Sequence, residues 1–232
     1  MNNIFKRTIA LIGEDSFKKI NESCVCVIGL GGVGSYVVEG LVRTGIGKLI
    51  IIDSAKVTIS NLNRQIIATR ETIGQYKTEA IVNRAKSINK EINIIKYNKY
   101  IDKDNIHDVL QGLSIDYIVD AIDSVSSKIE IIKYAKKNGI SIISSMGTGN
   151  KVDATQFEIT DISKTSVCPL ARVMRKELKL LNIKNVDVIY SKELPKKVNN
   201  DEKIPASIAF VPSVAGLIIS GYVINKIIEN MV

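Results

Sequence analysis

Cysteine and histidine are scarce in this sequence, whose 232 residues include three cysteines and one histidine. Cys24 and Cys26 lie two positions apart on a predicted strand, so they share one face and fit the core. No second cysteine pair is present to complete a four-thiolate zinc site or a disulfide framework, so we expect no zinc. His107 stands alone in an ordinary amphipathic segment, which argues against a multi-histidine metal site and a histidine-based triad.

The sequence also lacks the segments that mark secretion. Its start, "MNNIFKR", has no apolar stretch typical of a signal peptide, so we expect a cytoplasmic protein. No charged residue occurs between Lys203 and Lys226, and "FVPSVAGLIISGYVIN" in that interval is nearly long enough to cross a bilayer. Proline, glycine and serine interrupt this run, and Pro212 suits a helix start. We therefore predict a buried helix and no membrane partner.

The overall composition fits one basic globular domain. Hydrophobic residues make up 45% of the chain, enough for a sizeable core, and the formal net charge of +8 favours polyanionic partners such as nucleotides or nucleic acid. We predict a single domain over residues 1–232, with a nucleotide-binding core at 1–148. Residues 149–232 are expected to form a substrate-side extension that ends in the apolar helix.

Short runs rich in valine and isoleucine alternate with longer amphipathic stretches. The runs predict strands at 24–29, 48–53, 93–97, 116–121 and 141–145. The stretches predict helices at about 33–45, 75–89 and 125–138. This alternation favours an α/β fold, with a Rossmann-like, mostly parallel sheet flanked by helices and a smaller C-terminal extension of strands and helices.

A glycine-rich segment, "GLGGVG", follows the first predicted strand and opens a helix. It contains Gly29, Gly31, Gly32 and Gly34, and Asp53 follows 19 residues after Gly34, at the end of the second strand. Glycines let the backbone approach phosphate, and a carboxylate at that position can bond ribose hydroxyls. The motif predicts a nucleotide site without separating NAD from ATP, and a plain tight turn remains an alternative.

Polar groups concentrate after the second strand, in "ISNLNRQIIA". Because unpaired buried donors cost several kcal/mol, these side chains are expected outside the core, in a solvated loop or around an anion. The sequence has no P-loop of the form G-x-x-x-x-G-K-[ST], so side chains must meet any triphosphate charge. Cations followed by a pair of carboxylates fit a triphosphate with Mg²⁺ better than a nicotinamide. The polar segment contains Asn61, Asn63, Arg64 and Gln65. The cations are Arg64 and Lys77, and the carboxylates are Asp120 and Asp123.

The order and spacing of four segments resemble the ubiquitin-activating-enzyme-like adenylyltransferases that include the ThiF and MoeB proteins. The segments are "VIGLGGVGS", "IIDSAKVTISNLNRQ", "IGQYKTEA" and "VDAIDS". The resemblance implies a homodimer that uses ATP and Mg²⁺. It assigns the ribose to Asp53, the phosphates to Asn61, Arg64 and Lys77 with Gln65 in the same nucleotide site, Mg²⁺ to Asp123, and a contact with the neighbouring subunit's ATP to Arg7.

Three further segments, "RTGIGKLIIID", "MGTGNKVDATQFEITDISKT" and "PLARVMRKEL", resemble the tRNA threonylcarbamoyladenosine dehydratases. This resemblance implies ATP-dependent cyclisation of a threonylcarbamoyl group on a tRNA adenosine. An activating enzyme for a sulfur-carrier or ubiquitin-like protein, with Cys168 as acceptor, is one alternative. A nucleotide-binding adaptor without turnover is another. A bound Na⁺ or K⁺ ion and a partner cysteine desulfurase with its sulfur-acceptor system also stay open.

The helix predicted to begin near Cys168 carries a basic stripe. At 100° per residue, Leu170, Val173, Met174, Leu178 and Leu181 are expected on the apolar side, where Glu177 is a misfit. The basic side predicts contacts with RNA phosphates, against the alternative of a merely solvated face. Its residues are Arg172, Arg175, Lys176 and Lys179.

Overall fold

A computed structural model describes residues 4–198 and 205–229. Its centre is a seven-stranded sheet with the order β3-β2-β1-β4-β5-β7-β6. All pairs are parallel except the last, in which β6 runs antiparallel to β7. The strands are β1 Cys24–Ile28, β2 Lys48–Ile52, β3 Asn93–Tyr97, β4 Tyr117–Asp120, β5 Ser141–Ser145, β6 Phe157–Asp161 and β7 Asp187–Ser191. The predicted fold class is confirmed.

Helices cover both faces of this sheet. They are α1 Lys6–Ile12, α2 Glu14–Glu22, α3 Gly34–Thr44, α4 Lys77–Ile88, α5 Ile106–Leu110, α6 Val125–Lys137, α7 Pro169–Leu180 and α8 Phe210–Glu229. The helices predicted at 33–45, 75–89 and 125–138 correspond to α3, α4 and α6. Near the N-terminus, α1 and α2 are separated by Gly13, whose φ is +84°.

Strand β1 separates two apolar layers, and all five of its residues are buried. Val25 and Val27 pack with residues of α3, α4 and α8, whereas Cys24 and Cys26 pack with residues of α5, α6 and α7. The prediction that these two cysteines share a core face is confirmed. Burial raises the pKa of the Cys24 thiol to about 11.

Helix α8 lies against α3 through small residues. A Cβ placed on Gly216 would be 2.4 Å from the Val33 carbonyl oxygen, and one on Gly40 would be 2.2 Å from Ser220 Oγ. Only glycine allows the two helices to approach so closely. By length and composition, α8 alone among the described helices passes a test for a membrane span, but 56% of its apolar window is buried inside the molecule. The absence of a membrane partner stays a prediction.

Candidate functional site

The candidate site lies where β1, β2 and β4 end at one edge of the sheet. Because these strands are parallel, the loops that follow their carboxyl ends meet there. The strand order also reverses at this point, since β2 lies on one side of β1 and β4 on the other. Such a reversal opens a crevice between the two loops, and the predicted glycine segment leads into it.

The glycine loop is shaped by close backbone contacts. Gly29 has a φ of +93°, and a Cβ there would lie 2.7 Å from the Ala121 carbonyl oxygen. A Cβ on Gly34 would lie 1.8 Å from the Gly29 carbonyl oxygen, so neither position accepts a side chain. At Gly31 a Cβ would meet nothing within 4 Å, whereas at Gly32 it would be 3.5 Å from Arg64 Cγ. The loop therefore leaves open space beside an arginine at the N-terminal end of α3.

Asp53 fixes the glycine loop to the loop after β2. Its Oδ2 accepts a hydrogen bond from the Leu30 backbone N–H at 2.7 Å, and its Oδ1 accepts one from Ala55 at 2.7 Å. A carboxylate has about four acceptor positions, so capacity remains for ribose hydroxyls. Asp53 thus has a structural role that the sequence did not predict, beside its expected role in binding ribose.

The "SNLNRQ" segment is partly buried, so the prediction that its side chains all lie outside the core is wrong. Asn61 is 8% exposed, and its Oδ1 accepts from the Thr58 backbone N–H at 3.1 Å, where it caps a short 3₁₀ helix. Arg64 is half-buried, and its Nη1 donates to the Ser60 carbonyl at 2.8 Å and to Asn63 Oδ1 at 3.0 Å. These bonds direct the arginine along the segment toward Gly32.

Gln65 carries an unpartnered polar atom at this position. The residue is 5% exposed, and its Oε1 is the one buried side-chain oxygen or nitrogen among the described residues that lacks a hydrogen-bond partner. An unsatisfied buried acceptor costs about 1–3 kcal/mol, so a bound group with a donor would remove a penalty here. We take this atom as a sign that the site is built to hold a ligand.

Lys77 and Asp123 supply free charges of opposite sign. Lys77 is the first residue of α4, and its backbone N–H donates to the Ala55 carbonyl at 3.0 Å, which holds it beside the loop of Asp53. Asp123 is exposed in the turn between β4 and α6. Within residues 4–198 and 205–229, neither side chain has a hydrogen-bond or ion-pair partner, so both are available to a ligand.

Asp120, by contrast, does not belong to the predicted pair of ligand-facing carboxylates. It is 0% exposed, and its Oδ2 lies 3.0 Å from Lys128 Nζ, which is also 0% exposed. Spacing alone could not separate the two aspartates, because Asp120 ends a strand and Asp123 follows in the turn. A signal was present at Lys128, which falls on the apolar stripe of α6 with Ile131, Ile132 and Ala135.

These observations fit ATP, and they also fit Mg²⁺ with Asp123 as its one protein ligand. The space at Gly31, the orphaned oxygen of Gln65 and the free ammonium of Lys77 suit a nucleotide with a phosphate chain. In the described part of the chain, no three histidine, cysteine, aspartate or glutamate side chains are grouped to hold a metal ion. Mg²⁺ commonly takes one or two carboxylates and completes its shell with phosphates and water, a pattern that Asp123 alone can serve.

Arg7 lies far from its own glycine loop. It is exposed on α1, and Phe5 at the start of this helix packs near Gly45, the residue that caps the C-terminal end of α3. The glycine loop is at the other end of α3, whose 11 residues span roughly 16 Å. Arg7 and its own glycine loop are therefore near opposite ends of α3.

Helix α7 presents only part of the predicted basic stripe to solvent. Arg172, Lys176 and Lys179 are exposed, whereas Arg175 is half-buried and its Nη1 donates to the Thr165 carbonyl at 2.9 Å. The expected apolar face was wrong in part: Val173 and Leu181 are 42% and 47% exposed. The buried face is instead Ala171, Met174 and Leu178. Because this face is rotated toward Ala171, Glu177 is outside it, which explains the apparent misfit.

Cys168 directly precedes α7 and is 2% exposed. A Cβ on Gly147 would lie 3.7 Å from its sulfur, so the thiol faces the loop after β5. The same loop holds Lys151, a buried lysine that sequence reasoning missed, whose ammonium donates to the Glu193 carbonyl. Burial lowers the pKa of Lys151, and the nearby Cys168 and Glu193 offset part of this effect. The cysteine is enclosed rather than presented to a partner.

The fold and the site together define an α/β nucleotide-binding protein that meets phosphate charge with separate side chains instead of a P-loop. The model of the ThiF family matches residues 5–231, and the chain belongs to this family. It is 39% identical to a tRNA threonylcarbamoyladenosine dehydratase of Bacillus subtilis (strain 168), over 98% of this chain and 95% of that protein.

Solved structures agree with this relationship. The Escherichia coli tRNA N6-threonylcarbamoyladenosine dehydratase TcdA in complex with AMP superposes with a TM-score of 0.92 at 32% identity. That match covers 97% of this chain and 94% of TcdA. The complex of the same enzyme with ATP gives a TM-score of 0.91, also at 32% identity. The likeness therefore extends over the whole fold and not only over the glycine loop.

Proposed function

We infer that this chain is a tRNA threonylcarbamoyladenosine dehydratase, which uses ATP to cyclise the threonylcarbamoyl group of a modified tRNA adenosine. The observation that carries this inference is the 39% identity to the Bacillus subtilis enzyme over nearly the full length of both chains. The crevice at the glycine loop, with Arg64 beside Gly32 and Gln65 next to it in the chain, is the nucleotide site that we assign to this reaction. ATP and tRNA meet in the cytoplasm, which is the compartment that this activity implies.

The reaction needs no protein nucleophile. The substrate carboxylate attacks the α-phosphorus of ATP, pyrophosphate leaves, and the carboxyl group is joined to AMP. The carbamoyl group of the same substrate then attacks the activated carbonyl carbon, AMP departs with the former carboxylate oxygen, and a proton is released. Because both reacting groups belong to one molecule, ring closure has a high effective concentration. A buried Cys168 is compatible with this scheme, since no acceptor thiol takes part.

Positive side chains assist the first step. Negative charge concentrates on the phosphate oxygens as the carboxylate attacks, and preorganised cations stabilise that charge most when they need not move. Arg64 is held by two hydrogen bonds, and Lys77 is held through its backbone at the start of α4. Asp123 is the residue that would hold Mg²⁺, which supplies neutralising charge to the phosphates when bound.

A homodimer would complete the site. Phe210 and Leu217 on α8 are each 47% exposed, and Leu11 on α1 is 85% exposed, so these two helices keep apolar surface for a partner. Arg7 is exposed on α1 as well, near the end of α3 that lies opposite its own glycine loop. We assign it to the phosphates of the neighbouring subunit, where its charge would act only in the assembled dimer.

The face formed by α6 and α7 is the surface that we assign to tRNA. Arg172, Lys176 and Lys179 on α7 are exposed, and the adjacent helix α6 adds exposed lysines, including Lys137. A cavity of about 270 Å³ between α5 and α6 is lined by Lys103, His107, Lys133 and Lys137 together with Glu130. Clustered cations on one face suit the phosphates of an RNA backbone.

ATP–pyrophosphate exchange tests this function against its alternatives. Exchange that depends on tRNA carrying threonylcarbamoyladenosine, followed by formation of the cyclised nucleoside, is the expected result. Exchange that depends on a small carrier protein ending in Gly-Gly would instead identify an activating enzyme for such carriers. ATP binding without exchange under either condition would identify a nucleotide-binding adaptor. A bound Na⁺ or K⁺ ion is tested by replacing each salt with the other in the same assay.

A further inference from the structure

A buried ion pair lies beneath the turn that carries Asp123. Lys128 and Asp120 are both 0% exposed, and Lys128 Nζ donates to Asp120 Oδ2 at 3.0 Å. It also donates to Ser144 Oγ at 3.1 Å and to the Ser145 carbonyl at 2.7 Å. An ammonium has three N–H donors, so these three acceptors satisfy it completely. The ion pair therefore joins α6 to the carboxyl ends of β4 and β5.

The carboxylate of Asp120 extends this network to the turn itself. Its Oδ2 accepts from Ser144 Oγ at 2.6 Å, and its Oδ1 accepts from the Ile122 backbone N–H at 3.3 Å. Ile122 directly precedes Asp123. On the other side of the turn, the Lys128 backbone N–H donates to the Ser124 carbonyl at 3.0 Å. The ion pair is thus joined to the turn through the residue before Asp123, and the residue after Asp123 caps the start of α6, the helix that carries Lys128.

The energy of such a pair suggests a role other than stability. Removing two charges from water is costly, and a buried ion pair often stabilises a fold no more than apolar residues of the same size. This pair is fully hydrogen-bonded and is adjacent to an exposed carboxylate that has no contact of its own in the described residues. The orientation of Asp123 consequently depends on the backbone of its turn. The network holds that backbone at Ile122, beside the bond from the Ala121 N–H to the Ile28 carbonyl at 2.8 Å.

We propose that Asp120 and Lys128 are positioning residues that orient the Asp123 carboxylate toward the Mg²⁺ that accompanies ATP. This rests on the proposed role of Asp123 as the Mg²⁺ ligand. Neither residue touches the nucleotide; each acts through the turn at 121–124. Groups that orient a metal ligand typically contribute about 10–100-fold to metal affinity. The expected signature is therefore a change in the Mg²⁺-dependent part of ATP binding.

Isothermal titration calorimetry of ATP, once with Mg²⁺ and once with EDTA, measures the Mg²⁺-dependent part of ATP binding directly and needs no tRNA. The mild variant is Ser144→Ala, which removes one acceptor from Lys128 and one donor to Asp120. The stronger one is the double variant Asp120→Asn with Lys128→Met, which removes both charges together. We expect Mg²⁺ to strengthen ATP binding to the wild type. In the double variant, the factor by which Mg²⁺ strengthens binding should be smaller by about tenfold or more. Affinity in EDTA should be unchanged.

Two controls distinguish positioning from stability. Glu39→Gln removes another buried carboxylate, which is on α3 and pairs with Arg43 and Arg84 rather than with a residue of the turn. It should lower thermal stability and keep the full Mg²⁺ effect. Asp123→Asn should abolish that effect. If Asp123→Asn keeps the Mg²⁺ effect, the assigned Mg²⁺ role of Asp123 fails. If Asp123→Asn loses the effect while Ser144→Ala and the double variant keep it, the positioning role alone is overturned. Loss of the Mg²⁺ effect in Glu39→Gln as well would also overturn the positioning role of Asp120 and Lys128.

Discussion

Asn63 donates a hydrogen bond from Nδ2 to the Ser207 carbonyl, 144 residues later in the chain, at 3.1 Å. This bond connects the segment of Arg64 with the residues that lead into α8. At the start of α8, the Pro212 ring lies 3.1 Å from the position of a Cβ on Gly32. The last helix therefore closes one side of the nucleotide crevice, and its first turn and the "SNLNRQ" segment form one unit.

Asn63→Ala should weaken ATP binding, because it frees this unit and also removes one of the two hydrogen bonds that hold Arg64. A hydrogen bond of this kind contributes about 1 kcal/mol, so the apparent KM for ATP should rise about fivefold, with kcat little changed. Asn138→Ala is a matched control, because it removes an amide that donates to the Tyr134 carbonyl at 2.8 Å on α6. Steady-state kinetics that find the same KM in both variants would mean that Asn63 does not hold the crevice.

Cys168→Ser should retain most of the dehydratase activity, since the attacking group belongs to the substrate. The enclosed position predicts a loss of stability of about 1–2 kcal/mol from burying a hydroxyl, measurable by urea unfolding. Cys168→Ala controls for the polarity of the new side chain. Turnover with modified tRNA is the measurement that matters, and its complete loss in both folded variants would support an acceptor thiol.

Replacing Arg172, Lys176 and Lys179 with glutamine should weaken tRNA affinity. Each lost phosphate contact lowers the slope of log affinity against log salt by about one unit. The control replaces Lys18, Lys86 and Lys90 with glutamine. These lysines are exposed outside the α6–α7 face, and their replacement changes the net charge by the same amount. Equal losses in the two triple variants would attribute binding to total charge. Arg175 is left intact because it fastens Thr165.

Mixing two inactive variants tests the placement of Arg7. Arg7→Ala and Asp123→Asn should each lose activity, but under subunit exchange a mixed dimer contains one site with both residues intact. Partial recovery of turnover is the expected result, because an arginine from the neighbour stabilises phosphate charge at that site. A mixture in which exchange is verified by a mass-tagged subunit and no activity returns would exclude action across the interface.

Glu39 should make stability depend on pH. Burial alone would raise its pKa, but hydrogen bonds from Arg84 and Arg43 outweigh that effect and leave the pKa below its ordinary value of 4.5. Its contribution is therefore present above that value and is lost as the pH falls through the lower folded-state pKa. Glu39→Gln should cost about 2 kcal/mol of unfolding free energy at neutral pH, with a smaller difference in acid. A pH-independent difference would contradict this.

The central strands and five of the helices, α3, α4, α6, α7 and α8, were predictable because their sequence patterns are strong. Apolar runs mark β1, β2 and β4, whose residues are almost all buried, and α3, α4 and α6 have clear helical spacing. Strand β7 was missed: its five residues are flanked by polar loops, and its neighbours β5 and β6 are distant in sequence. Pairing over such distances has no local signature.

The site was predictable to the extent that backbone motifs define it. The glycine loop has a spacing that its geometry requires, whereas the states of Asp120 and Gln65 depend on tertiary contacts. Asp120 faces α6 because it is the last residue of a buried strand, and Gln65 is enclosed by packing of the segment around it. For Asp120 the sequence offers only the indirect signal of Lys128 on the apolar stripe of α6, and for Gln65 it offers none.

The burial of all three cysteines gives the molecule intrinsic reporters of its own opening. An alkylating reagent must reach the sulfur, so the folded chain, in which all three cysteines are buried, should be modified slowly. Cys24 and Cys26 are on the central strand β1 and become accessible when the sheet separates, whereas Cys168 is released when the start of α7 detaches. Mass spectrometry of pulse-alkylated peptides would therefore time the two events separately, without any engineered label.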